Sequence, residues 1–315
     1  MKIVLLGPTG QVGWELQRAL APLGELLLLG RKGLLRDTAA GSTAESAAGI
    51  ADCGDLAQTD ALLATLRRLR PDVVVNAAAY TAVDRAEAEP ELAQTVNAQS
   101  PAALAALMAE RGGWLLHYSS DYVFDGSGSH ARSEDDPTGP LNVYGRSKLA
   151  GEAAIRASGC RHLILRTSWV HGSRGANFAR TMLRLAAERD TLTVVDDQVG
   201  APTGADLLAD ISAHALRQAW QQPSVSGTYH AVAGGAVSWC GYARHVLARA
   251  QQAGVALKAG PDQVLAVPSS AYPTPAARPL NSRLDTRRLQ QSFGLRLPDW
   301  RLGLDRLLAQ WLPTP

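Results

Sequence analysis

Tyr144 and Lys148 stand four residues apart in the run Asn142-Val143-Tyr144-Gly145-Arg146-Ser147-Lys148. On a helix this spacing puts both side chains on one face, with Cβ atoms roughly 5–6 Å apart. A free phenol has a pKa of about 10 and is a poor proton donor near neutrality. A neighbouring ammonium favours the phenolate. At ~5 Å and an effective dielectric of ~20 the attraction is roughly 3 kcal/mol, enough to lower the phenol by about two pKa units. The expectation is a tyrosine able to act as a general acid. The spacing alone is common, and the segment before it gives it weight. Trp114-Leu115-Leu116-His117-Tyr118-Ser119-Ser120-Asp121 reads as a strand ending in hydroxyls and a carboxylate, the end at which a parallel sheet presents ligands. Ser120 supplies a hydroxyl to hold a carbonyl oxygen while Tyr144 delivers its proton.

A second constellation opens the chain. Gly7-x-x-Gly10-x-x-Gly13 follows the apolar run Ile3–Leu6 and leads into a helical pattern. Such a turn lets backbone amides approach a pyrophosphate at the positive end of a helix. The spacing departs from Gly-x-Gly-x-x-Gly, so its position at the first strand-to-helix junction carries the reading. The second strand ends at Gly30, followed by Arg31 and Lys32, where enzymes using NAD place a carboxylate for the ribose hydroxyls. A guanidinium there pairs with a 2′-phosphate. The expected cofactor is NADPH, with NADH the open alternative.

The elements that position these residues follow from periodicity. Short apolar runs at Ile3–Leu6, Leu26–Leu29, Val73–Val75, Trp114–Leu116 and Leu163–Leu165 alternate with helical patterns over Gln11–Leu20, Leu56–Leu69, Glu91–Glu110 and Val143–Ala157. Strands without polar alternation, each followed by a helix, predict a doubly wound, Rossmann-like parallel α/β sheet. Residues 32–51 lack a period and read as a surface loop. From about Gly172 prolines break up the pattern, and helices are expected at Asp206–Trp220 and Ser238–Ala253. This gives residues 1–171 as a cofactor domain and 172–315 mainly as a smaller substrate lobe, with some segments returning to the first domain. Trp300–Trp311 reads as a packed C-terminal helix.

Composition narrows the function classes. The chain has 315 residues, 46% hydrophobic, and a net charge of +2, which gives no basic field for nucleic acid. Arg67-Arg68-Leu69-Arg70 reads as a solvated helix face. Cys53, Cys160 and Cys240 are widely spaced, which argues for a reducing compartment and against a structural zinc site. The apolar run at the start is too short for a signal peptide, and no stretch approaches a membrane span. A cytoplasmic protein is expected. His117 and His171 flank the proposed site without any metal-ligand pattern, and both read as packing residues.

The chain resembles the extended short-chain dehydrogenase/reductase family over nearly its whole length. Within it the match narrows to reductases that form nucleotide-linked rhamnose. The resemblance rests on Gly7–Leu16, Val75–Asp84, Ser119–Phe124, Asn142–Lys148, Arg166–Val170, Asp197–Thr203 and Arg278–Ser282. It implies that Gly10, Gln11 and Val12 hold the pyrophosphate, that Asp55 and Leu56 flank the adenine, and that Ala79, Tyr80 and Thr81 line the nicotinamide. Tyr144 and Lys148 would also touch the nicotinamide ribose. Ser120, Asp121 and Trp169 would meet the sugar, and Arg278 with the Asp197–Thr203 loop would hold the nucleotide. The implied reaction is NADPH-dependent reduction of a C4 ketone on a nucleotide sugar, supplying cell-surface polysaccharide.

Ser120 stands where the family usually has threonine, and Gly30 where it often has an acidic residue. Some members form dimers bridged by a divalent ion. Here Glu15 is present, but no ligand set is completed near Asp206 and Gln310, so a homodimer is expected without a metal. Two other functions stay open. An epimerase or dehydratase would return its hydride, although Tyr122 stands where a dehydratase carries a glutamate after Asp121. A regulatory relative would turn over nothing.

Overall fold

The computed structural model describes residues 1–35 and 52–313. The first half runs β1 (Lys2–Leu6), α1 (Gln11–Leu20), β2 (Glu25–Gly30), β3 (Gly33–Leu34), α2 (Thr59–Leu69), β4 (Val73–Asn76), α3 (Val83–Ala86), α4 (Pro90–Gln94), α5 (Ser100–Glu110), β5 (Trp114–Ser120), α6 (Val143–Ala157) and β6 (Arg161–Thr167). The second runs β7 (Val170–His171), α7 (Phe178–Glu188), β8 (Leu192–Val195), β9 (Val199–Gly200), β10 (Thr203–Gly204), α8 (Ala205–Gln221), β11 (Gly227–His230), β12 (Val237–Ser238), α9 (Trp239–Gln252), β13 (Val264–Val267), α10 (Arg287–Phe293) and α11 (Trp300–Leu308).

The central sheet has seven strands in the order β11-β6-β5-β4-β1-β2-β3, parallel throughout except for the short β2–β3 pair. β1 shows why its residues are apolar without alternation. Ile3 and Leu5 face one core with Leu16, Leu20 and Leu208, while Val4 and Leu6 face another with Leu29, Leu62 and Leu104. Helices cover both faces, so each side chain in the strand is buried whichever way it points. The doubly wound α/β architecture expected from the sequence is the one formed. Its winding reverses between β1 and β4, and the loops leaving these strands open over the crevice where such sheets bind ligands. In the second half, β11 joins the central sheet beside β6 and α8 packs along α1. A separate core gathers Met182, Cys240, Tyr242, Val246, Trp300 and Leu304 from α7, α9 and α11.

Three local expectations are corrected. The segment read as a loop over 32–51 begins instead with β3, antiparallel to β2 with Leu34 opposite Leu29, and residues 36–51 lie outside the described part. The helix expected from Leu56 starts at Thr59. Asp55 holds the preceding turn, its carboxylate accepting from the Ala57 amide and its carbonyl from Gln58. The single helix expected over Glu91–Glu110 is divided by a π-helical turn at Thr95–Gln99. That turn aims the Asn97 amide group at the backbone of Tyr80, accepting from its N–H at 2.9 Å and donating to its carbonyl at 3.0 Å. Wide turns of this kind gather at functional sites.

The π turn also lies against α6 so closely that a Cβ on Gly151 would collide with the Asn97 carbonyl oxygen. Overpacking of a tight seam costs about 1–3 kcal/mol. Gly151→Ala is expected to lower stability by that amount, read as a shift in the denaturant midpoint. An unchanged midpoint would show that the seam opens freely.

Candidate active site

The phosphate loop joins β1 to α1. Gly7 has φ +72°, and a Cβ there would lie 2.8 Å from the Ala78 amide nitrogen; one on Gly13 would strike the Gly7 carbonyl. These two glycines are demanded by the protein's own backbone. Gly10 is different, because a Cβ there would meet nothing closer than 3.5 Å. It caps α1 with no side-chain acceptor, which leaves the first amides of the helix open to an anion. Beside them the Gln11 Oε1 is buried and has no hydrogen-bond partner. An open helix end beside an orphaned amide oxygen fits a dinucleotide's pyrophosphate and ribose. Val12, one residue on, packs against the core.

The remaining expected cofactor residues are placed as follows. Arg31 is exposed in the turn between β2 and β3. Asp55 follows Gly54, whose backbone lies close against Leu29 and Gly30 of β2, whereas the Leu56 side chain is buried among Leu29, Leu62 and Leu66. Ala79, Tyr80 and Thr81 follow β4, with the Tyr80 hydroxyl donating to Glu89 at 2.7 Å.

α6 carries the acid–base pair. Asn142 caps it, its side chain accepting from the Gly145 amide at 2.8 Å and donating to the Ala277 carbonyl at 2.7 Å. Tyr144 is half-buried, edge-on to Tyr122 with ring centroids 5.5 Å apart. Lys148 is 2% exposed and donates to the Tyr118 carbonyl at 2.6 Å. Ser120 donates to Asp121 at 3.0 Å and accepts from the Tyr122 amide. The ends of β5 and α6 thus bring Ser120, Asp121, Tyr144 and Lys148 together.

The electrostatics differ from the sequence expectation. Burial pushes the Tyr144 phenol up to about 12, with the Ser120 hydrogen bond pulling it down and the Asp121 charge adding to the rise. No lowering by Lys148 offsets this rise; the amine is engaged against β5. Burial likewise pushes Lys148 down to about 8, against the pull of Glu152. Asp121 is pushed up to about 6 by burial, opposed by hydrogen bonds from Ser282 and Ser120, and its Oδ2 has no partner.

Beyond the sheet end lies a cavity of about 710 Å³, lined in part by Phe178, Gln198, Trp239, Tyr272 and Arg278. Trp169, with φ +48°, stacks on Trp239 at 3.7 Å and an angle of 15°. A Cβ on Gly200 would come within 2.9 Å of this indole, and Trp169 packs, partly buried, against the core formed by α7, α9 and α11. Arg278, expected to hold a diphosphate, is bound bidentately to Asp84 at 3.1 and 2.8 Å. Trp239 escaped the sequence reading, passing as part of a helix start, whereas Gln198 lies in the Asp197–Thr203 loop expected to hold the nucleotide. The Trp239 indole N–H donates to the Gln198 carbonyl oxygen at 3.2 Å. Among the described residues, no group of three or more His, Cys, Asp or Glu could hold a metal, and no helix is long and apolar enough to cross a membrane. His171 is buried, with neither ring nitrogen hydrogen-bonded among the described residues.

The Asp121 shift has a stability consequence. Its folded pKa, about 6, lies above the ordinary 3.8, so its stabilising share is full below about 3.8 and lost as pH rises through about 6. Asp121→Asn is expected to raise Tm above pH 6 and to change it little near pH 4. Equal Tm changes at both values would contradict the buried-carboxyl account.

The chain and its fold have relatives. The family described as RmlD substrate binding domain matches residues 1–312. A dTDP-4-dehydrorhamnose reductase of Salmonella typhimurium is 52% identical over 314 residues, covering 100% of this chain and 99% of the relative. One from Burkholderia thailandensis is 44% identical over 308 residues, covering 96% and 97%. Among solved structures, the Bacillus anthracis dTDP-4-dehydrorhamnose reductase in complex with NADP superposes with a TM-score of 0.82 at 29% identity, covering 98% of this chain and 100% of that one. With nearly its whole length matched and half its residues shared, this chain belongs to the RmlD substrate binding domain family.

Proposed function

We propose that this protein reduces the C4 ketone of dTDP-4-dehydro-L-rhamnose to the alcohol of dTDP-L-rhamnose, consuming NADPH and a proton. The observation that carries the reading is the convergence of Ser120, Tyr144 and Lys148 where the end of β5 packs against α6, in a fold that also has an uncapped α1 N-terminus and an aromatic-lined cavity. The relatives named dTDP-4-dehydrorhamnose reductase supply the substrate. NADPH, when bound, supplies the hydride. Gly10, Gln11 and Val12 hold its pyrophosphate end, and Arg31, in the turn where β2 ends without a carboxylate, serves the 2′-phosphate.

The chain's own residues handle the oxygen. Ser120 donates a hydrogen bond to the ketone oxygen, and Tyr144 gives it a proton. A phenol held near 12 keeps its proton until negative charge develops on that oxygen, which suits the reductive direction. Lys148 supplies positive charge beneath the phenol and anchors the nicotinamide ribose. Trp169 and Asp121 face the sugar, and Arg278 exchanges Asp84 for the diphosphate. The same reading divides the chain at 171/172 into a cofactor domain and a substrate lobe. It makes the protein a cytoplasmic homodimer.

Loss of NADPH absorbance on adding dTDP-4-dehydro-L-rhamnose is the expected result. Silence with a panel of nucleotide keto-sugars would favour a non-catalytic role, and turnover without net NADPH loss would favour an epimerase. Tyr144→Phe is expected to keep NADPH affinity within about threefold and to lower kcat by at least 10²-fold, the lower range for a lost general acid. Near-normal turnover in that variant would remove Tyr144 from its role. The KM for NADPH is expected to be lower than that for NADH, and Arg31→Ala should narrow the gap.

A further inference from the structure

Lys148 touches one residue to which the reaction assigns no task. β4 and β5 pair in parallel with Asn76 beside His117, and both side chains are 1% exposed. Their hydrogen bonds fix where the protons sit. The Ala78 amide donates to Asn76 Oδ1 at 3.2 Å, so the other half of that amide group, the Nδ2 donor, faces His117 Nδ1 at 3.1 Å. Nδ1 therefore accepts, and the proton of a neutral ring belongs on Nε2. The ring is neutral, since its burial holds it well below the ordinary histidine value. Nε2 lies 3.3 Å from Lys148 Nζ. A ring N–H can be received there only by a lone pair, which an uncharged amine has and an ammonium lacks. An uncharged Lys148 completes the set, donating to the Tyr118 carbonyl and accepting from His117.

We propose that His117, turned by Asn76, is a positioning residue that presents an N–H to Lys148, so that charging this lysine costs a hydrogen bond. The other groups around the amine do not supply this donor. From β5 come His117 and the Tyr118 carbonyl. Along α6, Tyr144 lies one turn before and Glu152 one turn after, the carboxylate favouring the charged amine. Glu152 is itself engaged by Arg166 and Arg156. Asp121, on the turn beside α6, is directed to Ser120. From the π turn Asn97 accepts from Tyr80 and meets Ser147, both uncharged contacts. His117 is thus the group whose proton placement opposes the ammonium. Packing, the role its sequence context suggested, is only part of what it does.

The first test reads the tautomer and is independent of the reductase reading. In protein labelled with ¹⁵N-histidine, His117 is identified by the signals lost in His117→Phe. It is expected as the Nε2–H tautomer, and the Nδ1–H form would overturn the proposal. The second test rests on the reductase reading, in which the ammonium is the working form and turnover falls as pH rises through the Lys148 pKa. Asn76→Asp places a carboxylate against Nδ1, which draws a proton to that nitrogen but also adds a charge favouring the ammonium, so His117→Phe is the variant that isolates the donor. In that variant the alkaline limb of kcat is expected to move up by about one pH unit, the scale of one hydrogen bond made in only one protonation state. Asn76→Asp is expected to move the limb the same way, which covers the case in which the His117→Phe chain fails to fold. A limb that stays in place in the folded variants, with only kcat and Tm lowered, would reduce His117 to a structural residue and overturn the proposal.

Discussion

Glu152 and Arg166 form the contact on which the site's geometry depends. The carboxylate on α6 accepts from Arg166 Nε at 2.8 Å and Nη2 at 2.7 Å, and both residues are almost wholly buried. Two parallel charge-assisted bonds fix direction as well as distance. Arg166 sits on β6, so the pair locks the middle of α6 across the sheet at one height and rotation. Arg156 adds a partner from the same helix, and the Arg166 guanidinium lies 5.1 Å over the Phe124 ring. Such a pair adds little net stability over an apolar substitute, but losing one partner costs about 3–5 kcal/mol. Its value here is register. A helix free to slide by one residue would swing Tyr144 by about 100° away from Ser120.

The same helix is pinned from two further directions. Gly145 approaches the turn after β5 so closely that a Cβ would collide with the Tyr122 carbonyl, and Gly151 does the same against the π turn. Ser147 joins these contacts, accepting from Asn97 at 3.0 Å and donating to the Tyr144 carbonyl at 2.8 Å. Asn97 in turn holds both backbone groups of Tyr80. One buried amide therefore connects the loop after β4 with the helix that carries the acid–base pair. The two halves of the crevice are set relative to each other by hydrogen bonds and not by apolar packing alone.

Much of this was legible in the residues themselves. The apolar strands, the glycines of the first turn, and the helical spacing of Tyr144 and Lys148 are local signals, and α1 and α6 begin and end where their patterns do. Properties created by tertiary contact were not legible. Tyr144 and Lys148 share a helix face as their spacing implied, but spacing is silent on the Tyr118 carbonyl that engages the amine and on the burial that raises the phenol. Helical periodicity ran unbroken through Thr95–Gln99 because a π turn changes the count by one residue without changing composition. Trp239 has the same cause. Only the fold, which brings α9 beneath the left-handed Trp169, turns an ordinary helix start into half of an aromatic platform.

The shifts at the site share one direction. Lys148 is pushed down, Tyr144 and Asp121 are pushed up, and each change favours the uncharged form. Desolvation explains all three, because a crevice closed by α6, β5 and the lobe loops stabilises ions less than water does. At neutral pH an amine held at about 8 and a carboxyl held at about 6 are still mostly charged, so burial weakens these charges without removing them. Such charges are stabilised further when something of opposite sign shares the low-dielectric space, where attraction is several times stronger than in water. In the proposed reaction a developing oxyanion near Ser120 is such a partner for Lys148 and for the Tyr144 proton. The burial that makes the isolated side chains poor ions therefore makes them responsive to a ligand. Burial is also why a phenol with a raised pKa is no defect in a group whose task is to hold a proton until the oxygen needs it.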